Sequence, residues 1–392
     1  MISGEPEMET PRTVSVLMSV YNGERYLRAA INSILSQSFG DFEFIIIDDG
    51  SEDGTWRVLT SYADPRIRLV RNEQNLGLTR SLNKGLALAR GRYIARQDAD
   101  DISMPQRFER QLSVFMRNPN AAAVFTAFNY IDENGEVKGT VYPPTDSQLI
   151  RESLFHVNPL CHGSAMMRRE AVDSVGGYDI SYATAQDRDL WLRLSDCFAL
   201  EAIPEVLYQL RVYATSVSGR RRREQWRNAV RAAMSAFSRC GGVGLSARAV
   251  ALHHFYVGLY YFSEGLVQEG AHRLHLALEA DKTLEQASEQ LLNMAVSLAL
   301  ELGPSGRTLV RTRSDMNAAS DFLHILAANL PKEWSTLFCR DLFAEFYAAC
   351  AYLYHMRKRP WETTYCVVQS WLSGPRHHRN RGLVRMIVES LR

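Results

Sequence analysis

From residue 14 onward the chain alternates two hydrophobic rhythms. Short, almost wholly apolar runs, Val14-Ser-Val-Leu-Met-Ser-Val20 and Phe42-Glu-Phe-Ile-Ile-Ile47, are bounded by turn residues, as strands buried on both faces are. Between them, residues 25–37 place Tyr26, Ala29, Ala30, Ile34 and Leu35 on one helical stripe. A weaker helical pattern at 55–62, a strand at 67–70, a helix at 78–89 ended by Gly91, and a strand at 92–97 follow. This β-α-β-α-β-α-β order demands right-handed crossovers and predicts an α/β fold on a mixed, mainly parallel sheet flanked by helices.

Pro105 is suited to the first turn of the next helix, with Ser103 as its cap. Strand-like runs at 121–129, 137–142 and 163–167 precede helical patterns at 169–175 and 187–194. After Gly219 nearly everything has helical periodicity, punctuated by Gly241-Gly242, Gly303-Pro304, Pro331 and Gly374-Pro375. Residues 255–278 resemble a tetratricopeptide-type helical hairpin, and 352–372 a second, degenerate copy; a generic antiparallel bundle fits the same pattern. Its aromatic residues read as core rather than groove. The predicted organisation is a tail at 1–12, an α/β domain at 13–219 and an all-α domain at 220–392.

A chain of 392 residues is too long for one ordinary core, and its 46% hydrophobic and 23% charged content is that of a globular protein. The net charge of +1 gives no overall attraction to nucleic acid or anionic lipid. Basic clusters at Arg220-Arg-Arg-Arg223 and at 376–381 leave room for peripheral contact with an anionic membrane surface or a partner. No apolar stretch reaches the roughly 18 residues needed to span a bilayer. The first 12 residues lack the charged-then-apolar order of a signal, and the six cysteines are dispersed without metal spacing. The expected location is the cytoplasm.

The chemistry concentrates where the strands end. Asp98-Ala-Asp100-Asp101 follows the strand at 92–97, and in open α/β sheets ligands bind at that carboxyl edge. Carboxylates this close repel each other, and a hard divalent cation, Mg²⁺ or Mn²⁺, relieves the repulsion while holding substrate phosphates. The first strand ends in Tyr21-Asn22-Gly23 and the second in Asp48-Asp49-Gly50-Ser51. No G-x-G-x-x-G follows the first strand, so the dinucleotide phosphate cradle is missing. An aromatic ring and an amide stand there instead: Tyr21 can stack against a base, and Asp49 can accept from a base N–H. Ser51 or Asp53 before Gly54-Thr55 also has the makings of a helix cap.

Ser19-Val-Tyr-Asn22, Ile47-Asp-Asp-Gly-Ser51, Gly77…Leu-Asn83…Gly91-Arg-Tyr-Ile94, Asp98-Ala-Asp-Asp101 and Gln186-Asp-Arg-Asp-Leu-Trp191, in this order, resemble a family 2 glycosyltransferase of the GT-A fold. The resemblance runs from residue 13 to 218. It implies a nucleotide-sugar donor, UDP-, GDP- or dTDP-linked, with Ser19, Tyr21 and Asp49 at the base. It also implies Asp98 at the ribose, Asp100 on the metal and Asp187 as general base. Such an enzyme transfers sugar to a hydroxyl of a glycan, lipid-linked or protein acceptor. A cation steadies the departing diphosphate while one carboxylate takes the acceptor proton, and one base without a covalent nucleophile gives inversion.

Asp187 sits where it caps or opens a helix, whose positive end helps hold it ionised. Asp189 is turned away from it, and His162 and Trp191 are candidates for the acceptor side. Two departures from the family pattern stand out: Gln186 where Glu is common, and Tyr213 where His is common. A calcium loop over 98–109 fails because Ser103 replaces its glycine. The alternative is a catalytically silent nucleotide-sugar scaffold with a helical partner-binding tail.

Overall fold

The computed structural model describes residues 12–213 and 221–284, the stretches 313–329 and 341–348, and isolated positions between 291 and 386. The tail before residue 12, most of 352–372 and the basic run 376–381 lie outside the described residues. Two compact units divide the chain, Met1–Tyr213 and Ala214–Arg392.

In the first unit β1 (Val14–Val20), α1 (Glu24–Leu35), β2 (Phe42–Asp48), α2 (Thr55–Thr60), β3 (Ile67–Arg71), α3 (Leu78–Leu88) and β4 (Tyr93–Arg96) follow the predicted alternation. β1 runs parallel to both β2 and β4, and β2 parallel to β3. Val14, Val16 and Met18 of β1 pack with Leu27, Ile31 and Ile34 of α1 and with Phe42, Phe44 and Ile46 of β2 in one buried cluster. On the other side Leu17 presses onto Gly85 of α3, where an added Cβ would fall 1.9 Å from Leu17 Cδ1. The sheet is therefore covered on both faces, which is why its strands read as continuous apolar runs.

The second half of the unit reverses direction. It comprises β5 (Ile102–Ser103), α4 (Arg107–Arg117), β6 (Ala121–Ile131), β7 (Val137–Val141), α5 (Ser147–Ser153), a 3₁₀ turn (His162–Ser164), β8 (Met166–Arg168), α6 (Arg169–Ser174), α7 (Gln186–Ser195) and β9 (Ala199–Arg211). The strand order is β3-β2-β1-β4-β8-β6-β9-β5, with β7 beside β6. β8 is antiparallel to β4 and β6, β7 to β6, and β5 to β9, whereas β6 and β9 are parallel. The sheet is thus mixed, with parallel pairing among the first four strands and again between β6 and β9.

Two local expectations are corrected, and one strand was not foreseen. Ser103 does not cap α4: it lies in β5 and its hydroxyl donates to Gln97 Oε1 at 2.6 Å. Pro105 precedes the helix, which begins after Gln106. β9 escaped the sequence reading because Glu201, Pro204 and Glu205 break its alternation. The structure pairs Glu201 with Val124 and absorbs Pro204 and Glu205 in a register shift opposite Ala127, a bulge of the kind that tolerates a strand proline.

The second unit is helical in its described parts, with α8 (Arg222–Cys240), α9 (Ala247–Ser263), α10 (Val267–Ala280) and α11 (Arg313–Ala328). α8 ends at Gly241, in the left-handed region at φ 58°, as the glycine pair predicts. Ser246 caps α9 by accepting from Ala249 N at 3.2 Å. Phe255, Leu259, Phe262, Leu274 and Ala277 share one buried cluster, so these aromatics are core. Of the basic cluster near residue 221, Arg221 pairs with Glu224 at 2.6 Å and Arg223 lies 3.9 Å from Glu264. Among the described residues no helix is long and apolar enough to cross a membrane.

Candidate active site

Parallel pairing sets Val20 level with Asp48, so the first two strands end at one edge. Ser19 is half-buried near the end of β1, and Tyr21, 46% exposed, presents a free aromatic face just beyond it. Asn22 sits in the left-handed region at φ 51°, which a short amide side chain tolerates. Its Oδ1 accepts from Glu52 N at 2.9 Å and its own N–H donates to Ser51 Oγ at 3.0 Å. Asn22 therefore stitches the two loops together, and its side-chain oxygen is spent within the protein.

Asp49 is more heavily committed. Its Oδ1 accepts from Asn72 Nδ2 at 2.7 Å, Ser81 Oγ at 2.8 Å and Leu76 N at 2.9 Å, and its Oδ2 from Gly77 N at 2.9 Å. The carboxylate fixes the loop that enters α3, and its Oδ2 retains acceptor capacity. Asp53 provides the helix-start contact, accepting from Thr55 N at 2.9 Å. Ser51 N donates to Asp48 Oδ1 at 3.0 Å.

The three acids after β4 differ sharply in surroundings. Asp101 is buried: Tyr208 Oη donates to its Oδ2 at 2.9 Å and Arg211 N to its Oδ1 at 2.7 Å. Burial, then the charges of Asp100 and Asp98, push its carboxyl well above the usual range. It is a structural anchor, not a ligand. Asp98 pairs through Oδ1 with Arg96. Burial is the largest influence and opposes its ionisation, but the charge and hydrogen bond of Arg96, together with the other positive groups around it, outweigh burial and hold Asp98 below the usual range. Asp100 is raised by burial and by Asp98, against the pull of Tyr213, whose hydroxyl donates to its Oδ2 at 2.9 Å. The tyrosine that replaces the family's common histidine thus holds the predicted metal ligand directly.

These contacts leave Asp98 Oδ2 and Asp100 Oδ1 without a side-chain hydrogen-bond partner among the described residues. Two hard oxygens beside a raised carboxyl suit a divalent cation that takes one or two carboxylates and completes its shell with phosphate and water. Among the described residues no group of three or more His, Cys, Asp or Glu side chains converges to hold a metal ion.

Beneath the acids lie two arginines with no exposed surface, Arg96 and Arg107. Arg96 donates from Nη1 to Leu17 O at 2.9 Å and Gln97 O at 2.8 Å, and from Nε to His162 Nε2 at 3.2 Å. Arg107 donates to Gly163 O and to Arg96 O, each at 2.8 Å, and burial lowers it to about 10. Since arginine can only donate, His162 Nε2 must accept, which puts the ring proton on Nδ1. Tyr178 Oη lies 2.8 Å from the same nitrogen. Burial, then Arg96, depresses His162 to about 3, so the ring is neutral. Burial raises the Tyr178 phenol, and Asp187 and Asp98 both act on it in the same sense. One buried tyrosine therefore lies within the field of both predicted acids.

Asp187 is in the first turn of α7, inside the helix rather than at its cap, which is Ala185 at φ 56°. Asn158 Nδ2 donates to its Oδ2 at 3.0 Å. The helix end lowers Asp187, as the sequence suggests, but burial outweighs it and the carboxyl is raised. Asp189 points elsewhere, paired with Arg193 at 2.7 Å. Trp191 has no exposed surface and packs edge-on against Phe125, so it backs the site as core and forms no acceptor floor. His162 belongs to the buried network but keeps partial exposure.

Sequence reasoning missed Arg96, Arg107, Asn158, Tyr178 and Tyr208. Only Arg96 carried a local signal, a charge inside an otherwise apolar strand, where burial demands partners. Asn83 stood in a quoted motif without a role: its Nδ2 donates to Tyr178 O at 2.7 Å and its Oδ1 accepts from Tyr178 N at 3.0 Å.

Residues 15–176 match the sequence profile of glycosyl transferase family 2. EpsE of Bacillus subtilis (strain 168) is 39% identical over 210 residues, 52% of this chain and 74% of that protein. The amylovoran biosynthesis glycosyltransferase AmsE of Erwinia amylovora is 31% identical over 213 residues, 53% of this chain and 79% of its own. In fold, a crystal structure of S. aureus TarS 1-349 in complex with UDP superposes with TM-score 0.51 at 14% identity, covering 82% of this chain and 89% of that one. Sheet order, acids at the strand ends and these alignments agree, and the chain belongs to glycosyl transferase family 2.

Proposed function

We propose that this glycosyltransferase transfers a sugar from a nucleotide diphosphate sugar to a hydroxyl acceptor with inversion, in the assembly of a polysaccharide. The observation that carries the reading is the contact chain from the donor-side acid to Tyr178: Arg96 pairs with Asp98 and donates to His162 Nε2 at 3.2 Å, Tyr178 Oη lies 2.8 Å from that nitrogen, and Asp187 and Asp98 both act on this buried phenol. Donor-side acids and a separate carboxylate for the acceptor proton are what a direct displacement requires.

In this reading Tyr21 faces the base and Asp49 offers Oδ2 to it, while Ser19 and Asp98 lie toward the sugar-nucleotide. Asp98 and Asp100 hold Mg²⁺ or Mn²⁺, which when bound stabilises negative charge on the leaving diphosphate as a Lewis acid. Asp187 accepts the acceptor hydroxyl proton. Its raised carboxyl makes it a stronger base once ionised, closer to the neutral operating range a general base needs. Arg96 keeps Asp98 charged, and neutral His162 keeps Arg96 and Tyr178 in place without adding a titrating charge. Relatives named for polysaccharide synthesis, such as AmsE, support the acceptor class.

The test is a thermal-shift screen of UDP-, GDP- and dTDP-sugars with Mg²⁺ or Mn²⁺, followed by nucleoside diphosphate release. A donor at a hundredfold excess over its Kd should stabilise by about 2.7 kcal/mol. Asp187→Asn should keep that shift and lose turnover by at least a hundredfold, the usual range for a general base. Asp100→Asn should lose the metal dependence of the shift. Unimpaired turnover in Asp187→Asn would turn the reading toward a binding scaffold.

A further inference from the structure

Asp187 is held by a side chain outside the family motifs quoted above. Asn158 Nδ2 donates to Asp187 Oδ2 at 3.0 Å, across 29 residues of chain. An amide can rotate by half a turn and offer its carbonyl instead, which would repel a carboxylate. Here that rotation is blocked. Asn158 Oδ1 accepts from Leu160 N at 3.2 Å, an Asx-type turn closed over Pro159. Leu160 is itself buried, so the turn is anchored in the core. The hydrogen-bond pattern fixes which end of the amide faces Asp187.

We propose that Asn158 is a positioning residue for the catalytic base, its locked amide holding Asp187 Oδ2 so that Oδ1 faces the acceptor hydroxyl as a carboxylate. This rests on the reading of Asp187 as the base. A donor to the charged form favours that form, so removing it must push the carboxyl up. Burial already pushes Asp187 up, and Asn158 is among the groups opposing it. The leading other groups acting on Asp187 are Arg188 in its own helix and Tyr178 in the loop before it. Arginine stays charged and the raised Tyr178 phenol stays neutral between pH 5 and 9, roughly, so neither titrates there. Asp100 and Asp101 are raised too, so a moved acid limb is assigned to Asp187 by the titration midpoint taken as a difference against Asp187→Asn.

The experiment compares wild type, Asn158→Leu, which keeps the volume without a donor, and Asn158→Ala. Nucleoside diphosphate release from a panel of UDP- and GDP-sugars, with Mn²⁺, gives kcat and KM across pH. In parallel, ¹³C-aspartate infrared difference spectra against Asp187→Asn give the Asp187 titration midpoint without turnover. Both variants should move the acid limb and the infrared midpoint up by about one pH unit, roughly tenfold in kcat on that limb, with donor KM within about twofold. A uniform fall in kcat with an unmoved limb and midpoint would make Asn158 merely structural and overturn the proposal. If no tested sugar turns over, the infrared midpoint alone decides. Full turnover in Asp187→Asn would instead remove the base reading, whatever Asn158 does.

Discussion

Tyr208 donates its hydroxyl to Asp101 at 2.9 Å, joining residues 107 positions apart in the chain. The same hydroxyl accepts from Asp98 N at 3.3 Å, so one phenol from β9 holds both ends of the acidic turn. It makes Asp98 and Asp100 a fixed pair rather than two acids on a loose loop. Replacing Tyr208 by Phe leaves the buried Asp101 Oδ2 without its donor. The expected loss is about 1–3 kcal/mol of unfolding free energy, read by urea denaturation, with a smaller thermal shift on adding nucleotide sugar.

Gly163 lies against that tyrosine. A Cβ there would fall 1.9 Å from Tyr208 Oη and 2.9 Å from Asp98 Oδ2. Gly163→Ala must therefore displace either the ring or the acidic turn. A destabilisation of about 1–3 kcal/mol is expected from such overpacking. Calorimetry should record it, and equal Tm values for Gly163→Ala and wild type would contradict the close approach.

His162 gives a pH dependence of definite sign. In the unfolded chain an imidazole protonates near 6.5, whereas the folded ring does so only at about 3. The folded value is depressed, so the unfolded state binds more protons between those limits. Stability is present above about 6.5 and declines as pH falls through that window, by at most about 1.4 kcal/mol per pH unit for one proton. His162→Gln keeps an acceptor for Arg96 but cannot titrate. Its denaturation free energy should fall less steeply between about pH 6.5 and 5, and parallel curves for the two proteins would refute the assignment.

Asn83 clamps the backbone at Tyr178 by accepting one hydrogen bond and donating another. Thr79 Oγ1 adds a donation to Tyr182 O at 2.7 Å, so α3 braces the segment that leads into α7. Asn83→Leu loses both amide contacts and should cost about 1–3 kcal/mol. Amide hydrogen exchange should rise at 177–185 before it rises in β1, and unchanged exchange there would show that the clamp is dispensable.

Much of the architecture follows from patterns within a few neighbouring residues. Apolar runs such as 42–47, separated by helical stripes, announce a buried parallel sheet because period and burial are local consequences of backbone geometry. The acids at the strand ends are legible for the same reason, since a strand's end is marked in the sequence and the sheet edge is where ligands gather. Where the alternation is broken, as by Pro204 in β9, the pattern loses its voice and only cross-strand pairing restores the strand.

The division of labour among the acids was not written locally. Asp98, Asp100 and Asp101 are near neighbours of the same type, yet one pairs with Arg96, one with Tyr213 and one with Tyr208 and Arg211. Sequence alone fixed that a carboxylate cluster closes β4 and that the chain is α/β with a helical continuation. Tertiary structure alone decided which carboxylate is buried as an anchor, that Trp191 is core, and that Asn158 reaches Asp187. The reason is physical: a side chain's charge state and availability depend on partners brought together by folding, and although Arg96 is two residues from Asp98, the partners of Asp100 and Asp101 lie more than a hundred residues away.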